Sequence, residues 1–296
     1  MKQPIFRGAA SAIVTPMQKD GKVDYEAFGR LLDWQIAEGI AAIVVVGTTG
    51  EGSTLSDQEH REVIDFAVKH IDHRVPVIAG TGSNDTSYAI ELSRHACRAG
   101  VDGLLCVTPY YNKATQKGLI ASFTAIADAV DKPIILYNVP SRTGCNIQPK
   151  TCKILSEHPN IAAIKEASGD ISQVAEIRRL CGEDFSVYSG NDDQIVPILS
   201  LGGDGVISVL SNVLPAQTES ICRMYFEGKV KESAALQIRL LPLIHALFSE
   251  VNPIPVKAAV ARMGFGTNTL RLPLTPMDEE LKEVLFREMR KEGIRV

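Results

Sequence analysis

The sequence predicts an α/β fold, a (β/α)8 or TIM barrel of eight parallel strands followed by a helical C-terminal extension. Short apolar runs alternate with longer amphipathic stretches as far as about residue 228, as in repeated strand–helix units. The apolar runs are nearly continuous, which indicates strands buried on both faces of a parallel sheet. Polar residues or glycines follow every run, and in a barrel the carboxyl ends of all strands converge on one mouth. An open, doubly wound sheet would instead concentrate such residues where its strand order reverses, so the barrel is favoured.

The eight predicted strands lie, in order, at residues 9–14, 41–46, 76–79, 103–107, 133–138, 161–166, 185–189 and 205–209. Helices between them are predicted at residues 24–38, 57–70, 85–98, 116–130 and 172–181; several begin at a capping or acidic residue and end near a glycine. Beyond the last strand only helical patterns remain, at residues 229–248, 255–263 and 278–291. We therefore expect a barrel over residues 1–227 and a helical extension over residues 228–296.

Composition and charge argue against several classes of function. A net charge of −4 provides no basic field for binding a nucleic acid. The first residues lack the apolar segment of a secretory signal, and no apolar run approaches the ~18 residues of a membrane span. The six cysteines are scattered without a CxxC pair, so neither a structural zinc site nor a disulfide framework is expected. We expect a cytoplasmic protein.

Lys165 is the first candidate for chemistry. It follows the apolar residues 161–164 at the end of a predicted strand. Because an unpaired ammonium is costly to bury, the side chain should face the barrel axis near the mouth. Apolar surroundings lower the pKa of a lysine from ~10.4 and leave a neutral amine that can attack a ketone. Considered alone, Lys165 is more simply a structural ion pair with Glu166 or another acid.

Tyr137 ends the preceding predicted strand, so its side chain and that of Lys165 should lie on neighbouring strands about 4.8 Å apart. A phenol there could transfer protons while the amine condenses with a carbonyl group. By itself Tyr137 is more simply a core residue. Beside Lys165 it favours a catalytic pair.

Two further segments suit an anionic ligand. The loop 47–52 (GTTGEG) follows the second strand, and its backbone amides and threonine hydroxyls could hold a carboxylate or a phosphate. It lacks the GK[ST] ending of a P-loop, and a structural turn is an equal alternative. Arg142, just past the fifth strand, could bind a carboxylate through both ends of its guanidinium group or lie solvated at the surface.

An acidic pair, Asp192 and Asp193, follows the seventh strand. Such a pair could bind a metal ion, but more simply it caps the start of the next helix and places negative charge there. The motifs HExxH, GxSxG and GxGxxG are absent, which argues against zinc proteases, serine hydrolases and dinucleotide-binding domains.

Four motifs in order resemble the dihydrodipicolinate synthase / N-acetylneuraminate lyase family. They are the loop 47–51 and residues 108–112 (TPYYN), 137–144 (YNVPSRTG) and 164–168 (IKEAS), and the resemblance extends from about residue 8 to about residue 266. It implies a class I aldolase that condenses pyruvate with L-aspartate-4-semialdehyde through a Schiff base, giving 4-hydroxy-tetrahydrodipicolinate for lysine and diaminopimelate biosynthesis. It implies a homotetramer made of two tight dimers, and neither a metal nor an organic cofactor.

The resemblance also implies roles in the chemistry. Lys165 would form the imine with pyruvate, and Tyr137 would donate and accept protons. Thr48 and Tyr111 would complete a proton relay with Tyr137, Tyr111 being contributed by a neighbouring subunit.

Roles in substrate binding follow from the same resemblance. Thr49 would hold the pyruvate carboxylate, together with backbone groups near Gly190 and Ile207. Arg142 would bind the carboxylate of L-aspartate-4-semialdehyde.

Some relatives are inhibited by lysine at the interface of the tight dimer. His60, Asn84 and Tyr110 match that site, whereas Tyr88 stands where lysine-sensitive enzymes tend to have a glutamate and Gly52 where a serine is usual. The missing carboxylate removes the natural partner of the ligand's ammonium group, so weak or absent inhibition by lysine is expected.

Two alternatives stay open. Another aldolase of the family, acting on N-acetylneuraminate or a 2-keto-3-deoxy sugar acid, would share Lys165 and Tyr137 but would generally lack the Ser-Arg-Thr-Gly stretch that contains Arg142. A non-catalytic α/β ligand-binding protein would explain the polar mouth, but not a desolvated lysine beside a tyrosine.

Overall fold

A computed structural model describes residues 2–296 of the chain. Its eight strands form one closed parallel sheet in which neighbours follow chain order and the last strand pairs with the first. The predicted barrel is therefore confirmed, and each strand lies within two residues of its predicted bounds. The strands are β1 (Gly8–Ala12), β2 (Ala42–Val45), β3 (Val77–Gly80), β4 (Gly103–Val107), β5 (Ile134–Asn138), β6 (Ile161–Glu166), β7 (Ser186–Ser189) and β8 (Gly205–Ser208).

Helices surround the sheet and continue beyond it. The barrel helices are α1 (Tyr25–Ala37), α2 (Asp57–Ile71), α3 (Thr86–Ala99), α4 (Gln116–Asp128), the single turn α5 (Pro140–Thr143), α6 (Pro149–Ser156), α7 (Ile171–Cys181), α8 (Ile195–Ser200) and α9 (Pro215–Phe226). The C-terminal helices are α10 (Val230–Leu247), α11 (Ile254–Arg262) and α12 (Glu279–Lys291). None of the helices between residues 2 and 296 combines the length and apolar character needed to cross a membrane.

Local sequence determines several helix ends. At the start of α2 the Ser56 hydroxyl accepts a hydrogen bond from the Glu59 N–H, and the Glu59 carboxylate accepts one from the Ser56 N–H. This reciprocal cap satisfies backbone donors that the first turn leaves without partners. Helix α3 ends at Gly100, where a φ of 99° gives the left-handed conformation that glycine adopts without strain.

Side chains along each strand alternate between two cores. Outward-pointing residues such as Ile164 pack beneath the helices, and inward-pointing residues such as Ala163 and Ile207 fill the barrel. Phe6 stacks on Tyr188 in the inner core, with ring centroids 4.2 Å apart, and so fills the amino-terminal end of the barrel. Lys165 follows Ala163 by two positions on the same strand, so it also points inward, at the carboxyl-terminal end.

Candidate active site

Lys165 and Tyr137 face each other across two neighbouring strands. The register of β5 and β6 places them directly opposite, which confirms the predicted adjacency of the strands. The Lys165 ammonium nitrogen lies 4.3 Å from the centre of the Tyr137 ring. Both side chains are almost fully buried, with 6% and 7% of their surface exposed. One small molecule bound above them could therefore contact the amine and the phenol together.

Burial shifts the pKa values of both Lys165 and Tyr137. Burial, opposed by the charge of Asp192 and assisted by the charge of Arg142, lowers the pKa of Lys165 from 10.5 to about 8. A substantial fraction of the amine is thus neutral near physiological pH. Burial raises the pKa of Tyr137, while Arg142 and the Thr48 hydroxyl oppose that rise, so the phenol keeps its proton at neutral pH and can donate it.

Glu166 does not pair with Lys165. Its carboxylate accepts hydrogen bonds from the side chains of Asn138 and Gln173 and from the Ser168 N–H, at 2.7–3.2 Å. Successive residues of a strand point to opposite faces, so Glu166 lies between sheet and helices while Lys165 lies in the barrel. This position removes Glu166 as the ion-pair partner that the sequence left open.

A cavity of about 190 Å³ opens at the mouth above Lys165. Among the predicted site residues it is lined by Thr48, Thr49, Tyr137, Arg142, Lys165 and Gly190. These residues come from four different strand ends and are separated by up to 142 positions in the chain. The barrel thus gathers most of the predicted site into one small chamber.

Gly190 borders the Lys165 side chain so closely that a larger residue would not fit. A Cβ atom at this position would lie 2.6 Å from the Ala167 Cβ and 3.1 Å from the Lys165 Cε. Contacts of that length are repulsive, so the absence of a side chain here gives the lysine its path into the cavity.

The two threonines of the loop 47–52 occupy different environments. Thr49 is buried, and its hydroxyl accepts a hydrogen bond of 3.0 Å from the Asn252 side chain. Thr48 is exposed at the mouth, where its hydroxyl interacts with the Tyr137 phenol. Asn252 also lines the cavity, and the sequence analysis missed it because residues 250–256 were treated only as a break between helices.

Arg142 lies at the rim of the cavity. Its side chain is exposed, and one terminal nitrogen donates a long hydrogen bond of 3.4 Å to the Asn252 carbonyl. The remaining donors of the guanidinium group are available to a carboxylate entering from solvent.

Two predicted residues do not line this cavity. Tyr111 lies in the loop after β4 with 91% of its surface exposed, so within the single chain it does not approach Tyr137. The Ile207 side chain is buried in the inner core, beneath the chamber. Any contact from Ile207 to a ligand would have to come from its backbone, as the resemblance implied.

A second cavity, of about 380 Å³, lies beside the first and shares Thr48, Tyr137 and Arg142 with it. Three of the four residues predicted for a lysine site line it, namely His60, Tyr88 and Tyr110. Asn84 lies at its edge, where its side chain donates a 3.2 Å hydrogen bond to the Tyr110 carbonyl. Within residues 2–296, no aspartate or glutamate lines this cavity.

Asp192 is not the helix cap that the sequence suggested. Its carboxylate accepts hydrogen bonds of 3.0 and 2.9 Å from the backbone N–H groups of Val209 and Leu210, just after β8. The capping part of the prediction was wrong, because the backbone donors within reach of this carboxylate follow β8. Asp192 and Asp193 do place their charges in the first turn of the next helix, the short 3-10 helix Asp192–Gln194. Asp192 is instead a buried carboxylate whose charge acts on Lys165.

The chain is similar to known proteins over nearly its whole length. Residues 5–291 match the dihydrodipicolinate synthetase family. The chain is 56% identical over 293 residues to the 4-hydroxy-tetrahydrodipicolinate synthase of Caldicellulosiruptor saccharolyticus, covering 99% of each chain. It is 53% identical to the enzyme of the same name from Acetivibrio thermocellus, covering 99% of this chain and all of that one.

Solved structures agree with the sequence comparison. Dihydrodipicolinate synthase from Thermotoga maritima superposes with a TM-score of 0.96 at 42% identity, over 99% of this chain and 100% of that one. The chloride-inhibited dihydrodipicolinate synthase from Acinetobacter baumannii, complexed with pyruvate, has a TM-score of 0.96 at 44% identity, over 98% and 99% of the two chains.

Proposed function

The chain belongs to the dihydrodipicolinate synthetase family, and we propose that it condenses pyruvate with L-aspartate-4-semialdehyde through a Schiff base on Lys165, giving 4-hydroxy-tetrahydrodipicolinate. The observation that best supports this is the buried Lys165 amine, 4.3 Å from the Tyr137 ring centre, in a cavity that also contains hydroxyl and guanidinium groups. The pyruvate complex of a relative supports the same first substrate.

The covalent step begins with the neutral amine. Lys165 adds to the ketone carbon of pyruvate, and the resulting hydroxyl leaves as water after taking a proton from Tyr137, which gives the imine. Loss of a methyl proton then gives an enamine, whose carbon attacks the aldehyde carbon of the second substrate while the aldehyde oxygen is protonated. The amino group of that substrate finally attacks the imine carbon, closes the ring and releases Lys165 as a free amine.

Proton transfer needs a path between Tyr137 and solvent. Thr48 lies beside the phenol at the exposed mouth and provides the first step of a relay. Tyr111, which is 91% exposed in the single chain, completes the relay in a neighbouring subunit. In keeping with the family resemblance, the active protein is a homotetramer made of two tight dimers, acts in the cytoplasm and uses no cofactor beyond the pyruvate imine.

Substrate carboxylates are recognised on two sides of the chamber. Thr49, held by Asn252, binds the pyruvate carboxylate together with backbone groups at Gly190 and Ile207. Arg142, at the rim, binds the carboxylate of L-aspartate-4-semialdehyde, the substrate that enters second.

Reductive trapping tests the proposal. The protein is treated with pyruvate and sodium borohydride, and its peptides are weighed by mass spectrometry. We expect the mass of a reduced pyruvyl adduct on the Lys165 peptide, with the peptide of Lys257, another buried lysine, as the internal control that stays unmodified. Absence of the adduct would favour a non-catalytic binding protein. Cleavage of N-acetylneuraminate faster than turnover of aspartate semialdehyde with pyruvate would favour the lyase alternative.

A further inference from the structure

Two cysteines outside the active-site cavity lie side by side. Cys152 belongs to α6 and Cys181 is the last residue of α7, and their sulfur atoms are 3.9 Å apart, within hydrogen-bonding distance for sulfur. Cys152 is fully buried, whereas Cys181 is partly exposed. In the part of the chain that the structure describes, no other two cysteines are hydrogen-bonded to each other.

The surroundings of the two sulfur atoms are unequal. Lys153 and Arg178 lie close enough for their charges to favour a thiolate at Cys181, and the Cys181 charge acts in turn on Lys2. The hydrogen bond between the two sulfur atoms is the largest influence and lowers the pKa of Cys181 to about 7, whereas the pKa of Cys152 is raised well above its ordinary value. Cys181 is thus both the more accessible sulfur and the one whose neighbouring cations favour a thiolate.

We propose that Cys152 and Cys181 are a peroxide-sensitive modification site that forms a reversible intramolecular disulfide. The Cys181 thiolate attacks one oxygen of hydrogen peroxide, which breaks the O–O bond, oxidises the sulfur to a sulfenic acid and releases hydroxide. Formation of the sulfenic acid removes the Cys181 charge that helps to raise the pKa of Cys152. The Cys152 sulfur then attacks the Cys181 sulfur as its proton leaves, and the hydroxyl group of the sulfenic acid departs with that proton as water. Each disulfide consumes one peroxide, and a dithiol reductant reverses the change.

Closure requires a small movement of the two sulfur atoms. A disulfide bond is ~2.05 Å long, so they have to approach by about 2 Å from their present separation of 3.9 Å. Exposed, low-pKa cysteines beside a second thiol are the usual sites of reversible oxidation in proteins of a reducing compartment.

The pair lies on the outer face of the strand that contains Lys165. Helix α6 precedes β6 and α7 follows it, and the Glu166 carboxylate is near enough to raise the pKa of Cys152. A disulfide there would tie together the two helices that flank the strand of the proposed nucleophile. The inference goes beyond the proposed function and does not depend on it, because it concerns the opposite face of the sheet.

Peroxide titration of the reduced full-length protein tests the proposal. We expect the intact mass to fall by two hydrogen atoms, a linked peptide to join Cys152 and Cys181, and dithiothreitol to restore the original mass. Cys181→Ser should abolish the linked peptide. Cys97→Ser is the matched control, since Cys97 is also partly exposed but has a raised pKa, and it should leave the linked peptide unchanged.

A second variant isolates the first chemical step. Cys152→Ala removes the resolving thiol, so the Cys181 sulfenic acid should persist and give an adduct with dimedone. No dimedone adduct in this variant, a link between two protein molecules, or direct oxidation of Cys181 to sulfinic acid in the unmodified sequence would each overturn the proposal.

Discussion

Lys257 of α11 and Glu51 of the loop 47–52 form an ion pair inside the protein, with 2% and 1% of their side-chain surfaces exposed. The second carboxylate oxygen of Glu51 accepts a 3.1 Å hydrogen bond from the Arg271 backbone N–H. Glu51 has a φ of 52°, which few residues other than glycine adopt, and it stands two positions after Thr49. The C-terminal extension therefore holds the loop that supplies both threonines of the proposed site.

Replacing Lys257 by methionine should destabilise the protein by about 3–5 kcal/mol, because it leaves the Glu51 carboxylate buried without its partner. We also expect a higher KM for pyruvate, since Thr49 would lose its fixed position. Urea unfolding measures the first effect and steady-state kinetics the second.

A double variant provides the control. Combining Lys257→Met with Glu51→Gln removes both charges and leaves an amide oxygen for the Arg271 N–H, so it should lose less stability than Lys257→Met alone. A double variant that lost as much stability as Lys257→Met alone, or as much as the two single variants together, would contradict a paired role for these side chains.

The rate of pyruvate trapping should rise with pH and level off above about 9. Burial lowers the pKa of Lys165 to about 8, and only the neutral amine attacks the ketone, so about half of the amine is reactive at pH 8 and about nine-tenths at pH 9. The measurement is the initial rate of adduct formation between pH 6 and 10. A rate that still climbed steeply at pH 10 would mean that the lysine keeps its ordinary pKa.

Asp192→Asn should move that pH profile to lower pH. The Asp192 charge opposes the fall in the Lys165 pKa, so its removal lowers this pKa further. Asparagine retains an oxygen that can accept from Val209 or Leu210, which limits disturbance of the strand end. Asp193→Asn is the matched control, because Asp193 does not contribute to the pKa shift of Lys165, and it should leave the profile in place.

Gly190→Ala should lower the trapping rate by at least tenfold while the protein stays folded. The added methyl group would overlap Ala167 and crowd the Lys165 Cε, which displaces the amine from the cavity. Gly118→Ala, in the first turn of α4, serves as the comparison because its Cβ would make only ordinary contacts of 3.5 Å. Unchanged trapping in Gly190→Ala would show that the lysine has another route into the chamber.

Arg142→Ala should reduce kcat/KM for L-aspartate-4-semialdehyde by roughly ten- to a hundredfold, the loss expected for charge-assisted hydrogen bonds. Pyruvate trapping on Lys165, measured at about pH 9 so that loss of the Arg142 charge has little effect on the neutral fraction of the amine, should persist, because Arg142 is assigned to the second substrate. Arg142→Lys retains the charge but not the bidentate geometry of the guanidinium group. Its kcat/KM should therefore lie between the values of the unmodified protein and of Arg142→Ala. Loss of trapping together with turnover would place Arg142 at the pyruvate site instead.

Lysine should inhibit the enzyme weakly or not at all, since no carboxylate lines the described cavity of His60, Tyr88 and Tyr110. Introducing one with Tyr88→Glu should create inhibition, whereas Tyr88→Gln, of the same length without the charge, should not. Activity is titrated with lysine in all three proteins. Inhibition of the unmodified sequence at sub-millimolar lysine would show that other groups hold the ammonium.

Local sequence patterns were enough to predict the barrel and the proposed nucleophile with its partner. Continuous apolar runs specify strands buried on both faces, and strands joined by short helical connections pair in chain order, so Tyr137 and Lys165 had to be neighbours. These features depend on local patterns and on elements adjacent in the chain.

The residues that complete the site from distant parts of the chain could not be predicted in this way. Thr49 contacts Asn252, which is 203 residues away in the sequence, and Glu51 contacts Lys257, which is 206 residues away. Cys152 and Cys181 lie on two separate helices that pack together. The bonding of Asp192 to the backbone after β8 likewise has no local signature. Such contacts are set by the closure of the sheet and the packing of helices on it, and a buried charge pairs with whichever group that packing brings within reach.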